Sequence, residues 1–134
     1  MKIILAIVIV ILIASALDAK DIPLCCLSDT QAVRIIMGEA AGEVYRGKLA
    51  IACVLRNRNS ANGFYGAKRS IAWCEAQGPK AHADSLRAWR ESANNDITGG
   101  CTLEGGMMDD WYFQHTLHLK PVLTIGRQRF YKLK

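Results

Sequence analysis

Ser28-Asp29-Thr30-Gln31-Ala32-Val33-Arg34-Ile35-Ile36-Met37-Gly38-Glu39-Ala40-Ala41-Gly42-Glu43 is the stretch that sets the fold. Ser28, with Gln31 three residues on, is the signature of a side-chain-capped helix start, and Ala32, Val33, Ile35, Ile36 and Met37 supply an apolar helical body. A helix over 29–41 is predicted, ended by Gly42, because glycine accepts the left-handed conformation common at helix termini. Glu39 falls at the end of this apolar helix beside residues without bulky side chains. A carboxyl group placed there is partly desolvated yet open to a large substrate, and desolvation raises its pKa toward the range of a general acid. Glu43 would share the face of Glu39 if the helix continued, although Gly42 stands between them. The plainer reading makes both of them solvated helix-end residues.

Downstream, Leu49 to Leu55 is apolar on every face, with Arg46, Lys48, Arg56 and Arg58 around it. This predicts a second helix over 44–58, sunk in the core. Residues 59–66 hold Asn, Ser and two Gly and read as a loop. Pro79, a favoured first-turn residue, opens a further helix that carries His82, Leu86, Trp89 and Ala93 on one stripe and ends near Asn94 or Asn95. Residues 96–106 contain four Gly and predict an extended or turning segment. Trp111-Tyr112-Phe113 and Val122 to Tyr131 have β-type composition, from which one or two short strands are expected. There is no internal repeat, low-complexity tract or linker, and the pattern is α+β, mostly helical with a small β element.

Upstream, Met1-Lys2 is followed by an unbroken apolar run from Ile3 to Ile13 and then by Ala14-Ser15-Ala16-Leu17-Asp18-Ala19. A cationic start, a short apolar stretch and a small-x-small site predict a secretory signal peptide over residues 1–19, with cleavage after Ala16 fitting best and after Ala19 next. The uncharged stretch from Ile3 to Leu17 has 15 residues, short of the roughly 20 that span a bilayer as a helix. An uncleaved anchor is the alternative, and only then would a membrane be a partner. Ile22-Pro23-Leu24 before Cys25 lacks the small residues of a lipoprotein site. The five cysteines, Cys25, Cys26, Cys53, Cys74 and Cys101, are thereby routed to an oxidising compartment. Neighbouring Cys25 and Cys26 are too close to bridge each other. A link from that pair to Cys74 or Cys101 is expected, with Cys53 a small buried hydrophobe.

The chain has 134 residues and a mass of 14.8 kDa, with 51% hydrophobic and 22% charged residues and a mean hydropathy of +0.09 inflated by the amino-terminal run. One domain is therefore expected, and a disordered tail or a coiled coil is excluded. The net charge of +5, or +4 without residues 1–16, favours polyanionic surroundings: cell-wall polymer, anionic lipid or nucleic acid. The signal peptide and the absence of aromatic-interleaved basic motifs argue against nucleic acid.

Three blocks, in order, carry a resemblance. Val33 to Ala40, Gly42 to Ala52 and Val54-Leu55-Arg56-Asn57-Arg58 resemble the core of the SleB/CwlJ-type cell-wall hydrolases, with its Gly-Glu-Ala start and Asn-Arg helix end. Asp96-Ile97-Thr98-Gly99-Gly100-Cys101 is similar to that family's Asp-Pro-Thr-Gly-Gly-Ala, and Ile125-Gly126-Arg127-Gln128-Arg129-Phe130-Tyr131 to its Ile-Gly-x-His-x-Phe-Tyr. The resemblance implies that residues 20–134 form a lysozyme-like α+β catalytic domain. It implies a secreted, periplasmic or wall-associated monomer acting on peptidoglycan glycan strands as a lytic transglycosylase, without a cofactor. Glu39 becomes the catalytic residue. A transglycosylase works with one carboxyl group, whereas a hydrolase more often needs a second carboxylate, for which Glu43 and Asp96 are the candidates. Gln128 replaces the family's His, removing a titratable group while keeping hydrogen-bonding capacity. Ile97 replaces a Pro, and residues 59–77 depart from the family's substrate-side region. These departures motivate the alternative of a catalytically weak glycan-binding module of the same fold.

Asn57 would orient Glu39 or a sugar amide, or simply make a helix-end hydrogen bond. Tyr45, Phe64, Tyr65 and Trp111 would stack on sugar rings or join the core, where Trp89 also belongs. His115 and His118 with Asp109 and Asp110 lack a diagnostic metal spacing. Arg127, Arg129, Lys132 and Lys134 form a basic tail suited to anionic wall polymer or to a solvated strand edge.

Overall fold

The computed structural model describes residues 27–133; the signal-peptide expectation, and the disulfide expectation for Cys25 and Cys26, lie outside the described residues. Helix α1 (Asp29–Ala40) begins with the expected capping box, Gln31 N donating to Ser28 Oγ at 3.2 Å and Ser28 N to Gln31 Oε1 at 2.9 Å. Its end differs from expectation. Ala41 remains right-handed (φ −56°, ψ −41°), Gly42 takes no positive φ, and Glu43 N bonds back to Ala40 O at 3.0 Å, so the last turn tightens instead of reversing. The helix therefore does not carry Glu43 onto the face of Glu39.

Helix α2 (Tyr45–Arg58) is buried without interruption from Gly47 to Leu55, which is why its sequence shows no polar face. Lys48, expected to flank the core, is inside it at 4% exposure, its ammonium donating to the Glu43 carbonyl. Asn59 ends α2 in the left-handed conformation at φ 53°. A single 3₁₀ turn, η1 (Tyr65–Lys68), and helices α3 (Ile71–Ala76) and α4 (Gly78–Glu91) follow. The buried stripe of α4 is Ala81, Ser85, Ala88 and Trp89. His82 and Ala93 are exposed, so of the expected stripe Trp89 reaches the main core, while Leu86 packs on a second cluster of Val33, Met37, Cys74 and Ala81. The helix stops at Glu91, earlier than expected, where Ser92 N bonds to Ala88 O and Ser92 Oγ to Trp89 O.

Strand β1 (Leu103–Gly105), helix α5 (Met107–His115), β2 (Leu123–Ile125) and β3 (Gln128–Tyr131) complete the chain. The sheet is antiparallel in the order β1-β3-β2, with Glu104 opposite Phe130 and Ile125 opposite Gln128. Gly126, at φ 58°, takes the first position of the two-residue hairpin turn, where a side chain would be strained. Trp111-Tyr112-Phe113 is helical, contrary to its β-type composition. Asp109 and Asp110 favour a helix amino terminus, and Phe113 packs edge-on against Tyr131 at 5.1 Å, so tertiary contact overrides propensity.

The core lies where α1, α2 and α4 meet the sheet and includes Ile35, Ile36, Ile51, Leu55, Trp89 and Phe130. Cys53 is part of it, as expected, and Cys53, Cys74 and Cys101 form no disulfide with one another. The architecture is the expected α+β, lysozyme-like one: mostly helical with a small sheet. Among the described residues, no helix is long and apolar enough to cross a membrane.

Candidate active site

Glycines bring the site together. A Cβ on Gly38 of α1 would overlap the Cα of Gly66, and one on Gly66 would overlap the carbonyl oxygen of Ile35. Only two glycines let η1 press this closely on α1. The approach aims the Gly66 N–H at Glu39, which accepts it on Oε1 at 2.6 Å. Glu39 Oε2 has no hydrogen-bond partner among the described residues and is not sealed from solvent. One carboxylate oxygen is thus fixed, and the other is available.

Glu39 lines a cavity of about 470 Å³ with Arg58, Tyr65, Arg69, Glu104, Asp109 and Gln128. Burial raises its pKa above the ordinary carboxylate range; the Gly66 N–H opposes this, Asp109 adds to it, and Arg69 and Arg58 oppose it. This is the environment expected of Glu39 from its sequence context.

Gln128, buried at 9% exposure, donates from Nε2 to the backbone carbonyl of Glu39 at 3.2 Å. That carbonyl lost its helical partner when Glu43 N bonded to Ala40 O instead, so Gln128 caps the end of α1. Gln128 thus holds the backbone of Glu39.

Asn57 and Asp96 lie away from the cavity and hold each other. Asn57 Nδ2 donates to Asp96 Oδ2 (3.0 Å), Thr98 Oγ1 (3.3 Å) and Cys101 O (3.1 Å). Asp96 also accepts from Thr98 N and Gly100 N, both at 2.9 Å. Burial pushes the Asp96 carboxyl up, but the hydrogen bonds from Thr98, Asn57 and Gly100 outweigh it and hold the pKa at about 2. These two residues lock the 96–101 loop. Glu43 and Tyr45 line a separate depression with Lys48, Lys80, Asp84 and Arg87. There Tyr45 donates to Glu91 at 2.6 Å and lies under the Arg87 guanidinium. Neither Glu43 nor Asp96 shares the cavity with Glu39.

Of the aromatic candidates, Phe64 is in the core, Tyr65 is 66% exposed at the cavity rim, and Trp111 is exposed but stacked on His115. Arg129 pairs with Asp110, so it ties β3 to α5 instead of extending as a free basic tail. His115 Nδ1 lies 2.9 Å from the Trp111 carbonyl, and among the described residues no cluster of His, Cys, Asp and Glu could hold a metal ion.

The cavity holds residues that the sequence did not single out as chemical: Glu104, Arg58 and Arg69, with Asp109 in a new role. Arg58 is braced by the Asn62 carbonyl, sits over the Phe64 ring at 4.6 Å, and fills the space a side chain at Gly63 would take. Burial first, then the charges of Glu39 and Asp109, push Glu104 up to about 8 against the opposition of Arg58.

With the helices, sheet and cavity in this arrangement, the chain superimposes on the crystal structure of the catalytic domain of the Bacillus cereus SleB protein. The TM-score is 0.53 at 22% identity, over 78% of this chain and 88% of that one. It has the SleB catalytic-domain fold. The catalytic domain of the germination-specific lytic transglycosylase SleB from Bacillus anthracis matches similarly, with a TM-score of 0.51 at 21% identity over 78% of this chain and 93% of that one. No protein-family model and no curated protein matches the sequence. The three sequence blocks that resemble the SleB/CwlJ type therefore coincide with a SleB-like fold.

Proposed function

We propose that this protein cleaves the MurNAc–GlcNAc bond of peptidoglycan as a lytic transglycosylase, with Glu39 as the catalytic residue. The observation that carries the reading is the state of that side chain: half-buried at the end of α1, held by Gly66 N–H at 2.6 Å, its pKa raised, and one oxygen open to a cavity. Burial favours the protonated form of Glu39, and in that form it donates to the glycosidic oxygen as the bond to C1 breaks. As carboxylate it then takes the proton of the muramic acid 6-hydroxyl, whose oxygen closes onto C1 to form the 1,6-anhydro ring. Water is not consumed, and Glu39 ends protonated, ready for the next strand. Tyr65 at the rim offers a ring face for a sugar, and Arg58 and Arg69 offer donors for its hydroxyl and carbonyl groups. We place this activity outside the cytoplasm, in a monomer that meets glycan strands after export.

The test is release of soluble fragments from purified sacculi by wild type and by Glu39→Gln, with both proteins checked for wall sedimentation and circular dichroism. Loss of release with binding and fold retained supports the reading. Binding without release by either protein would make the chain a glycan-binding module of the same fold.

A further inference from the structure

Glu39, at the end of α1, and Glu104, in the middle of β1, come from distant parts of the chain yet line one cavity. The charged and titratable groups facing them are Arg58 at the end of α2, Tyr65 and Arg69 from η1 and the residue after it, and Asp109 from α5. Strand β1 is pressed against α5. A Cβ on Gly105 would stand 2.8 Å from the Asp109 Cβ and 3.0 Å from the Phe113 ring, so α5 is held close against the strand that carries Glu104, and Asp109 and Glu104 line the same cavity. Neither glutamate forms an ion pair among the described residues, and Arg58 is already engaged by the Asn62 carbonyl. Three carboxyl groups and two guanidinium groups therefore share one partly desolvated space, and the two glutamates lack a bonded cation. Two carboxylates so placed resist simultaneous ionisation.

We propose that Glu104 is a positioning residue for the catalytic proton: across the neutral range, Glu39 and Glu104 hold one proton between them. This deepens the transglycosylase reading and rests on it for its catalytic meaning. The negative charge of the pair keeps the proton from leaving to solvent, so Glu39 retains a donor at pH values where an isolated glutamate has none. When that proton passes to the glycosidic oxygen, both carboxylates face the positively charged sugar, and the 6-hydroxyl proton then restores the pair. Burial of Glu104 and its pKa of about 8 are consistent with this sharing.

Glu104→Gln removes the like charge without changing size, so the pKa of Glu39 falls. The alkaline limb of the kcat/KM profile on sacculi is expected to move to lower pH by about one unit or more, and Glu104→Asp is expected to restore much of it. An unmoved alkaline limb would overturn the proposal, whatever happens to kcat. Should Glu104→Gln fail to fold, or sacculi prove not to be the substrate, carboxyl carbon-13 titration of the wild type decides without any substrate. Glu39 and Glu104 each showing two inflections at shared pH values is the expected result. Independent single steps at ordinary glutamate pH values would overturn it.

Discussion

At the residue scale the site depends on Glu39 and the two glycines that hold η1 against its helix. Glu39→Gln preserves shape and hydrogen bonding to Gly66 but cannot give or take the proton, so fragment release should fall by about 10² to 10⁴-fold with the melting temperature little changed. Gly66→Ala is expected to destabilise the fold by roughly 1–3 kcal/mol, since its Cβ would enter the space of the Ile35 carbonyl oxygen, and to lower activity by displacing the N–H that Glu39 accepts. Denaturant melts and sacculus assays on the same preparation measure both effects. The place of Glu39, a carboxyl group at the end of an apolar helix among small residues, made it a candidate, but those residues alone read as readily as a solvated helix end, and the three-block resemblance singled it out. Glu104 was no candidate. Leu103-Glu104-Gly105 has no periodicity of its own, and only the pairing of β1 with β3 and its packing on α5 bring Glu104 to Glu39. Asp96 and Glu43 were drawn in by their chemistry alone, and the fold spends them on a loop lock and on a separate depression.

At the element scale, two connections support the site, one from the 96–101 loop and one from Gln128 at its wall. The 96–101 loop is locked by Asp96, whose pKa of about 2 lies below its ordinary 3.8. A carboxyl group with a depressed folded-state pKa stabilises above its unfolded value and loses that contribution as pH falls through the folded one. The wild type should therefore lose stability between about pH 4 and pH 2. Asp96→Asn, less stable at pH 7, should lose less over that window. Urea melts at both ends of the window check this, and equal losses would contradict it. The end of α1 is capped by Gln128, so Gln128→Ala should cost about 1 kcal/mol and lower kcat more than it raises KM, because it frees the backbone of Glu39. Helices α1 and α2 were readable from caps and apolar runs. Helix α5 was not, because its aromatic residues carry β propensity and are turned helical by acidic first-turn residues and by the Phe113–Tyr131 contact. Helix α3 is six residues long, too short to show a helical period.

At the scale of the whole molecule, a chain of net charge +5 is suited to an anionic polymer, and long-range attraction of this kind is screened by salt. Sedimentation with peptidoglycan should weaken as sodium chloride rises from about 0.05 to 0.5 M, while the fold stays intact. Binding that is indifferent to salt would move the weight of recognition to the cavity's hydrogen bonds. The α+β class could be read from helix caps, apolar runs and the β-type composition of the carboxyl end, and the three blocks fall on the buried α1–α2 pair, the hydrogen-bonded loop and the hairpin turn. The cavity could not be read, because α1, the end of α2, η1, β1, α5 and β3 each contribute residues to it and most of these lie outside the three blocks. The central claim is that Glu39 directs the muramic acid 6-hydroxyl, and not water, onto the glycosidic carbon. Mass spectrometry of the fragments that the protein releases from purified peptidoglycan tests it most directly. The expected products carry 1,6-anhydro-muramyl ends and disappear with Glu39→Gln; fragments with reducing muramyl ends would mean that water, not the 6-hydroxyl, attacks.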